Sequence, residues 1–262
     1  MNKGSTSNLY KLLLILASIM LMLGSCGGNN TIVLGATTTL EDSGILAKLI
    51  NAFEREHPLT VKPLISGSGQ IHQLIKRGDI DTAITHDPAG EAQLLNDNII
   101  TARWPLMRND FVIVGPAKDP AGVKQALTPE AVFRSINGVA ALYVSRNDSS
   151  GTHQMEKKWW WQAEISPPET HLIKTGSGMG ATLAVAAERS AYTLVDRGTW
   201  LNFSNKKTLK ILFEHADLLP NIYSILSFGN NRAEIWEQWL QSDTARQLIL
   251  NHRIDQKPVF FQ

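Results

Sequence analysis

Val139-Ala140-Ala141-Leu142-Tyr143-Val144-Ser145-Arg146-Asn147-Asp148-Ser149-Ser150-Gly151-Thr152-His153 is the stretch on which the fold turns. Its apolar first part, Val139–Val144, reads as a strand, and a helix-period segment follows the hydroxyl-rich turn Ser149-Ser150-Gly151-Thr152. A strand-to-helix turn presents unpaired backbone N–H groups where the helix dipole is positive, which suits an anion. The hydroxyls add uncharged donors, and Arg146 adds a planar fork that suits two oxygens at once. Three more such turns lie along the chain: Thr37-Thr38-Thr39, Ser66-Gly67-Ser68-Gly69 and Gly176-Ser177-Gly178-Met179-Gly180.

Working outward, strand-like runs occur at 31–35, 59–65, 82–85, 111–115, 139–144, 171–174, 191–195 and 223–228. Helix-period segments lie between most of them: Ile45, Leu46, Leu49, Ile50 and Phe53 share one face, as do Leu183, Val185, Ala186 and Ala187, and later Ile235, Trp239 and Leu240. The alternation predicts an α/β fold with mainly parallel sheets, whose ligands bind at the carboxyl ends of strands. Composition breaks at Pro116–Pro120, read as a crossing between two lobes, with a return crossing near 206–220. The expected division is residues 31–115 plus 217–262 for lobe 1 and 116–216 for lobe 2.

The first 25 residues read as a signal peptide: Lys3 and Lys11, an uncharged run Leu12–Leu23 too short to span a bilayer, then small residues. Cys26 is the only cysteine, so no intramolecular disulfide is available. Its place after Leu23-Gly24-Ser25 resembles the lipobox of bacterial lipoproteins, which implies lipidation of Cys26 and anchoring to a membrane without spanning it. Residues 26–30 read as a tether. Loss of residues 1–25 removes two of the 25 basic residues and none of the 24 acidic ones, leaving a net charge of −1. That balance argues against nucleic acid as a partner.

A tetrahedral dianion must exchange its water shell for fixed donors. Thr37, Thr38, Thr39 and Ser68 are the candidate donors from one lobe, and Arg146, Ser150, Gly151 and Thr152 those from the other. At about 1.5–3 kcal/mol for each bond to a charged group, roughly six to eight donors would reach the ~12 kcal/mol of a nanomolar complex after ordering costs. The plainer readings are helix capping by the threonines and Ser150, a bare turn at 67–69, and a surface ion pair of Arg146 with Asp148 or Glu156.

Longer blocks carry a resemblance. Ala36-Thr37-Thr38-Thr39 with Glu41-Asp42-Ser43-Gly44, Asn109-Asp110-Phe111-Val112-Ile113-Val114-Gly115-Pro116 with Asp119-Pro120-Ala121-Gly122, the Ser145–His153 block, Gly178–Leu183 and Ala191–Thr199 resemble the substrate-binding proteins of tungstate ABC importers, in order over nearly the whole mature chain. The resemblance implies a two-lobed periplasmic-binding-protein fold (type II-like) closing on tungstate or molybdate, with Thr37, Thr38, Ser68, Arg146 and Thr152 at the anion. It also implies an exported, lipid-anchored monomer that performs no chemistry, needs no cofactor and delivers to an ABC permease. Departures are Thr39 for a common serine, Leu40 for a frequent threonine, Arg108 for a usual tyrosine, and Asn221-Ile222-Tyr223-Ser224 without the usual proline.

Phosphate is the rival ligand, because phosphate-binding proteins carry a turn similar to Arg146–Thr152. Phosphate keeps a proton near neutral pH that a buried carboxylate can accept, whereas tungstate has none; Asp148 is therefore the residue to watch. A secreted hydrolase using Ser150 with His153 is the rival class, but no G-x-S-x-G elbow surrounds Ser150. Gly176–Ala181 matches a dinucleotide fingerprint but sits late in an exported chain. The seven histidines lack metal-ligand spacing, so no metal site is expected. His86 ends a strand and either lines the cleft or is a satisfied structural residue. Trp159-Trp160-Trp161 point in different directions on a helix, as core with partial exposure rather than a sugar platform.

Overall fold

A computed structural model describes residues 30–167 and 169–261. Residues 1–25 and Cys26, on which the signal peptide and lipidation expectations rest, lie outside the described residues. The chain opens with β1 (Thr31–Thr37), running into a one-turn helix α1 (Thr38–Asp42) and then α2 (Ile45–Glu56). Next come β2 (Thr60–Ser66), α3 (Ser68–Arg77), β3 (Thr82–Thr85), α4 (Pro88–Asn96) and the long β4 (Ala102–Pro116). There follow α5 (Pro129–Gly138), β5 (Tyr143–Ser145), α6 (Gly151–Gln162), β6 (Leu172–Lys174), α7 (Met179–Arg189), β7 (Thr193–Asp196) and α8 (Arg197–Asn202). The chain finishes with β8 (Leu209–Glu214), β9 (Pro220–Ser227), α9 (Asn231–Leu240), α10 (Asp243–Leu250) and a two-strand hairpin.

The main sheet runs β2-β1-β3-β9-β4-β7, with β8 also paired to β4. β1 with β3 and β5 with β6 are parallel, but β9 pairs antiparallel with both β3 and β4, and β7 and β8 pair antiparallel with β4. The sheet is thus mixed, not mainly parallel. A chain that crosses from one half to the other and returns must lay its two crossing strands antiparallel. β4 pairs with β9 from Ala102 to Asp110 and with β7 and β8 from Phe111 onward, so the change of partners falls inside one strand. Residues 111–115 therefore pair with the second group of strands. The composition break at Pro116–Pro120 marks where β4 ends, and continuous strand sequence hides the point where its partners change.

Each half buries both faces of its sheet. Alternation along β1 sends Ile32, Leu34 and Ala36 to a core under α2 and α9, while Val33 joins Ile71, Ile75 and Ala83 on the opposite side. In the second half Phe111, Ile113 and Leu194 face a core with Trp159 and Trp160, whereas Val112, Val114 and Val195 face Met179 and Leu183. Trp161 is 78% exposed, as three adjacent helical positions require. Of the expected α9 face, Ile235 is exposed, and Trp236 is fully buried in its place against Phe53.

Candidate oxyanion site

Each of the four turns ends a strand and begins a helix, and the fold brings them to one place. Thr37 is the N-cap of α1 but its side chain makes no capping bond, so the bland reading of the threonines as caps is not what the fold does. Gly67 precedes α3, whose first residue Ser68 is fully buried. Ser150 caps α6, its hydroxyl accepting from the His153 amide at 3.3 Å, and Gln154 N–H opens the helical ladder on the Ser150 carbonyl. The Gly151 and Thr152 amides come before that ladder and have no carbonyl within the helix to bond.

Contacts between the two groups of strands are close. Arg146 Nη2 donates to the Thr38 hydroxyl at 3.2 Å, and Gly69 N–H donates to the Ser149 carbonyl at 3.3 Å. A Cβ added at Gly67 would lie 3.3 Å from Ser150 Cβ, and one at Gly178 would lie 3.8 Å from Thr38 Cγ2. The Gly176–Gly180 turn, a nucleotide loop by pattern, thus faces the threonines.

Arg146 is 1% exposed. Its Nε and Nη2 both donate to Asp148 Oδ2, at 3.1 and 2.5 Å, and Asp148 Oδ1 accepts from the Ser150 amide at 3.1 Å. Both carboxylate oxygens are thereby engaged. Burial alone would raise the Asp148 pKa, but Arg146 and the Ser150 bonds outweigh it and hold the carboxyl below its ordinary value. Two nitrogens of the fork are pinned, and the third, Nη1, is buried without a hydrogen-bond partner among the described residues. The Thr152 hydroxyl is in the same condition. A buried guanidinium nitrogen and a buried hydroxyl left unpaired are costly unless something else completes them.

Thr39 stands apart from its neighbours. Its hydroxyl lies among His86 Nε2 (3.3 Å), Tyr223 Oη (3.1 Å) and Thr37 Oγ1 (3.3 Å). The Ser68 hydroxyl accepts from the His86 amide at 3.5 Å. Two more carboxyls border the site, and of the two ion-pair partners expected for Arg146, Asp148 takes the guanidinium. Asp42 is raised to about 6 by burial, with Asp196 and Glu41 adding and Arg146 opposing, and Glu156, one helical turn after Thr152, is raised to about 8 by burial. The spacing of Glu156 from Thr152 along one helix face was the available signal. His153 Nδ1 accepts from the Ser149 amide at 3.1 Å, so the ring is not paired with the Ser150 hydroxyl. Arg108 is exposed and bonds through its backbone to Phe261, away from these contacts. Among the described residues no group of three His, Cys, Asp or Glu could hold a metal ion.

Two strand groups joined by crossing strands, with helix N-termini from both meeting at a buried arginine, define a bilobal binding protein. The chain belongs to the PBP superfamily, whose domain model matches residues 25–231. Among curated proteins it is similar to the tungstate-binding protein TupA of Peptoclostridium acidaminophilum, 33% identical over 229 residues, covering 84% of this chain and 80% of the relative. Among solved structures it is similar to the tungstate ABC transporter protein of Geobacter sulfurreducens (33% identity, TM-score 0.76, covering 84% of this chain and 97% of that one). TupA of Desulfovibrio alaskensis is likewise similar (34% identity, TM-score 0.74, covering 88% and 97%).

Proposed function

We propose that this chain is the extracytoplasmic oxyanion-binding component of an ABC importer and takes tungstate, or molybdate, between its lobes. The observation that carries the reading is the pair of buried donors without a partner among the described residues, Arg146 Nη1 and Thr152 Oγ1, beside the Gly151 and Thr152 amides that precede the helical ladder of α6. The names of the similar proteins favour a fully ionised tetrahedral dianion over protonated phosphate, and both oxygens of Asp148 already accept from Arg146 and the Ser150 amide. Thr37, Thr38, Ser68 and Gly151 complete the donor set, with Thr38 accepting from Arg146 and keeping its own proton to donate. Lobe 1 comprises Thr31 to Asp110 and Pro220 to Phe261, and lobe 2 comprises the described residues from Phe111 to Glu214, after the change of partners in β4. Ligand contacts from both sides favour the closed state, which docks on the permease. The protein is a monomer that performs no chemistry, exported and held to the membrane through a lipid on Cys26.

Calorimetric titration with tungstate, molybdate, sulfate and phosphate tests the reading. Tungstate heat with an affinity that falls at least about 100-fold in Arg146→Ala is expected, since losing a buried charged donor costs roughly 3 kcal/mol or more. Strong phosphate binding with no tungstate heat would sink it.

A further inference from the structure

We propose that His86 is a positioning residue for the oxyanion site: its ring, set in one tautomer by Asn221 and Asn109 on the two crossing strands, orients the Thr39 hydroxyl and seats the first turn of α6. The inference rests on the oxyanion reading above.

His86 follows β3 directly and is 3% exposed. It touches three of the four turns. Its ring Nε2 lies 3.3 Å from Thr39 Oγ1, and its amide donates to Ser68 Oγ. Its carbonyl oxygen and ring lie 2.4 and 3.0 Å from where a Gly151 Cβ would be, so α6 meets His86 only because position 151 has no side chain. On its other side the ring stacks on Tyr223, with centroids 5.0 Å apart and planes 15° apart.

The direction of the network follows from counting protons. Burial pushes His86 down to about 4, with Asn221 and Asp148 opposing and Arg146 adding to the depression, so the ring is neutral at pH 7. A neutral imidazole has one donor and one acceptor. The Asn221 amide nitrogen donates to Asn109 Oδ1 at 2.7 Å and to Tyr223 Oη at 3.2 Å. Asn221 Oδ1 therefore faces His86 Nδ1, 2.7 Å away, and Nδ1 carries the proton. That leaves a lone pair on Nε2, which takes the Thr39 hydroxyl proton. Thr39 Oγ1 in turn accepts from Tyr223 Oη. With its only proton committed to His86, the Thr39 hydroxyl holds the turn in place and does not donate to an anion. Asn109 and Asn221 are opposite each other on β4 and β9, two residues before Phe111, where the partners of β4 change, so the relay ties the threonine turn to the crossing strands.

The test compares two substitutions of similar volume in the whole protein. His86→Gln keeps an acceptor within reach of Thr39, and His86→Leu has none. Titrated with sodium tungstate, His86→Gln is expected to stay within about threefold of wild type. His86→Leu is expected to lose about tenfold or more, the scale of one buried hydrogen bond. Equal losses in both, or wild-type affinity in His86→Leu, would overturn the proposal, because packing alone would then account for the ring. Nitrogen-15 NMR of the imidazole provides a readout that does not depend on tungstate. A protonated Nδ1, with an Nε2 resonance that moves in Thr39→Val, upholds the relay; a protonated Nε2, the network run in reverse, overturns it. Wild-type protein that takes up no tungstate would refute the oxyanion reading instead, and the NMR result would still decide the relay.

Discussion

Replacing Gly151 by alanine tests the closed cleft most directly. The added Cβ would lie 2.4 Å from the His86 carbonyl oxygen. Carbon–oxygen contacts settle at about 3.3 Å, so the start of α6 and the end of β3 must separate by roughly 1 Å. The obstacle is a backbone carbonyl at a strand end and cannot rotate aside as a side chain would. A displacement of roughly 1 Å carries the Gly151 and Thr152 amides out of the ~2.7–3.2 Å range for bonds to an anion held by the opposite lobe. Two bonds to a charged group, at about 1.5–3 kcal/mol each, make a loss of about 3–4 kcal/mol reasonable after partial relaxation, which is about 100- to 1000-fold in Kd. The contact lies between the lobes, so the ligand-free fold should not suffer once the lobes stand apart, and alanine favours helix over glycine at this first-turn position. Calorimetry with tungstate should therefore show the large loss while the ligand-free melting temperature holds steady or rises. Unchanged affinity would mean that α6 does not seat on His86 in the bound form, and the closed geometry would be wrong.

Two further predictions concern groups around the site. Glu156, raised to about 8 in the folded protein from an ordinary 4.5, keeps a proton on folding that the unfolded chain releases. Its contribution is fully present below about pH 4.5 and declines as pH rises through about 8, by up to a few kcal/mol in all. Glu156→Gln should flatten that slope and melt higher than wild type at pH 8.5; parallel melting curves against pH would refute this. Ser150→Ala removes the cap of α6 and should cost about 1 kcal/mol, or roughly 2–4 °C in melting temperature. Ester hydrolysis present in wild type and abolished in Ser150→Ala would contradict the binding-protein reading.

The local signals were legible where physics is local. The strand at 82–85 and the helix start after the hydroxyl turn at 149–152 depend on β-formers and a cap within a few residues, and they lie where the pattern places them. The strand expected over Val139–Val144 instead shrinks to Tyr143–Ser145, because α5 runs to Gly138 and a turn follows it. The start of β4 was not legible. Its residues 102–110 include Pro105 and Arg108 and break the apolar run, and the strand accommodates them with a register shift between Pro105 and Met107. β8 falls in the stretch 206–220 read as the return crossing, and its pairing with β4 supplies order that propensity does not. His86 was a choice between lining the cleft and a satisfied structural role, since a single histidine at a strand end carries no mark of its partners.

By itself the sequence determined the class: alternating strands and helices, four hydroxyl- and glycine-rich turns at helix starts, and one arginine in the third. Those features act over a few residues and are written in order along the chain. Tertiary structure alone decided which groups remain available to an anion. Arg146 and Asp148 are two residues apart, yet only folding buries them so that two guanidinium nitrogens are pinned and Nη1 is left unpaired. Thr37, Thr38 and Thr39 read alike in sequence. In the fold Thr38 meets Arg146, 108 positions away, and Thr39 meets His86 and Tyr223, 47 and 184 positions away. Hydrogen bonds are short-ranged and directional, so a hydroxyl's role is set by whichever partners the chain brings within about 3 Å.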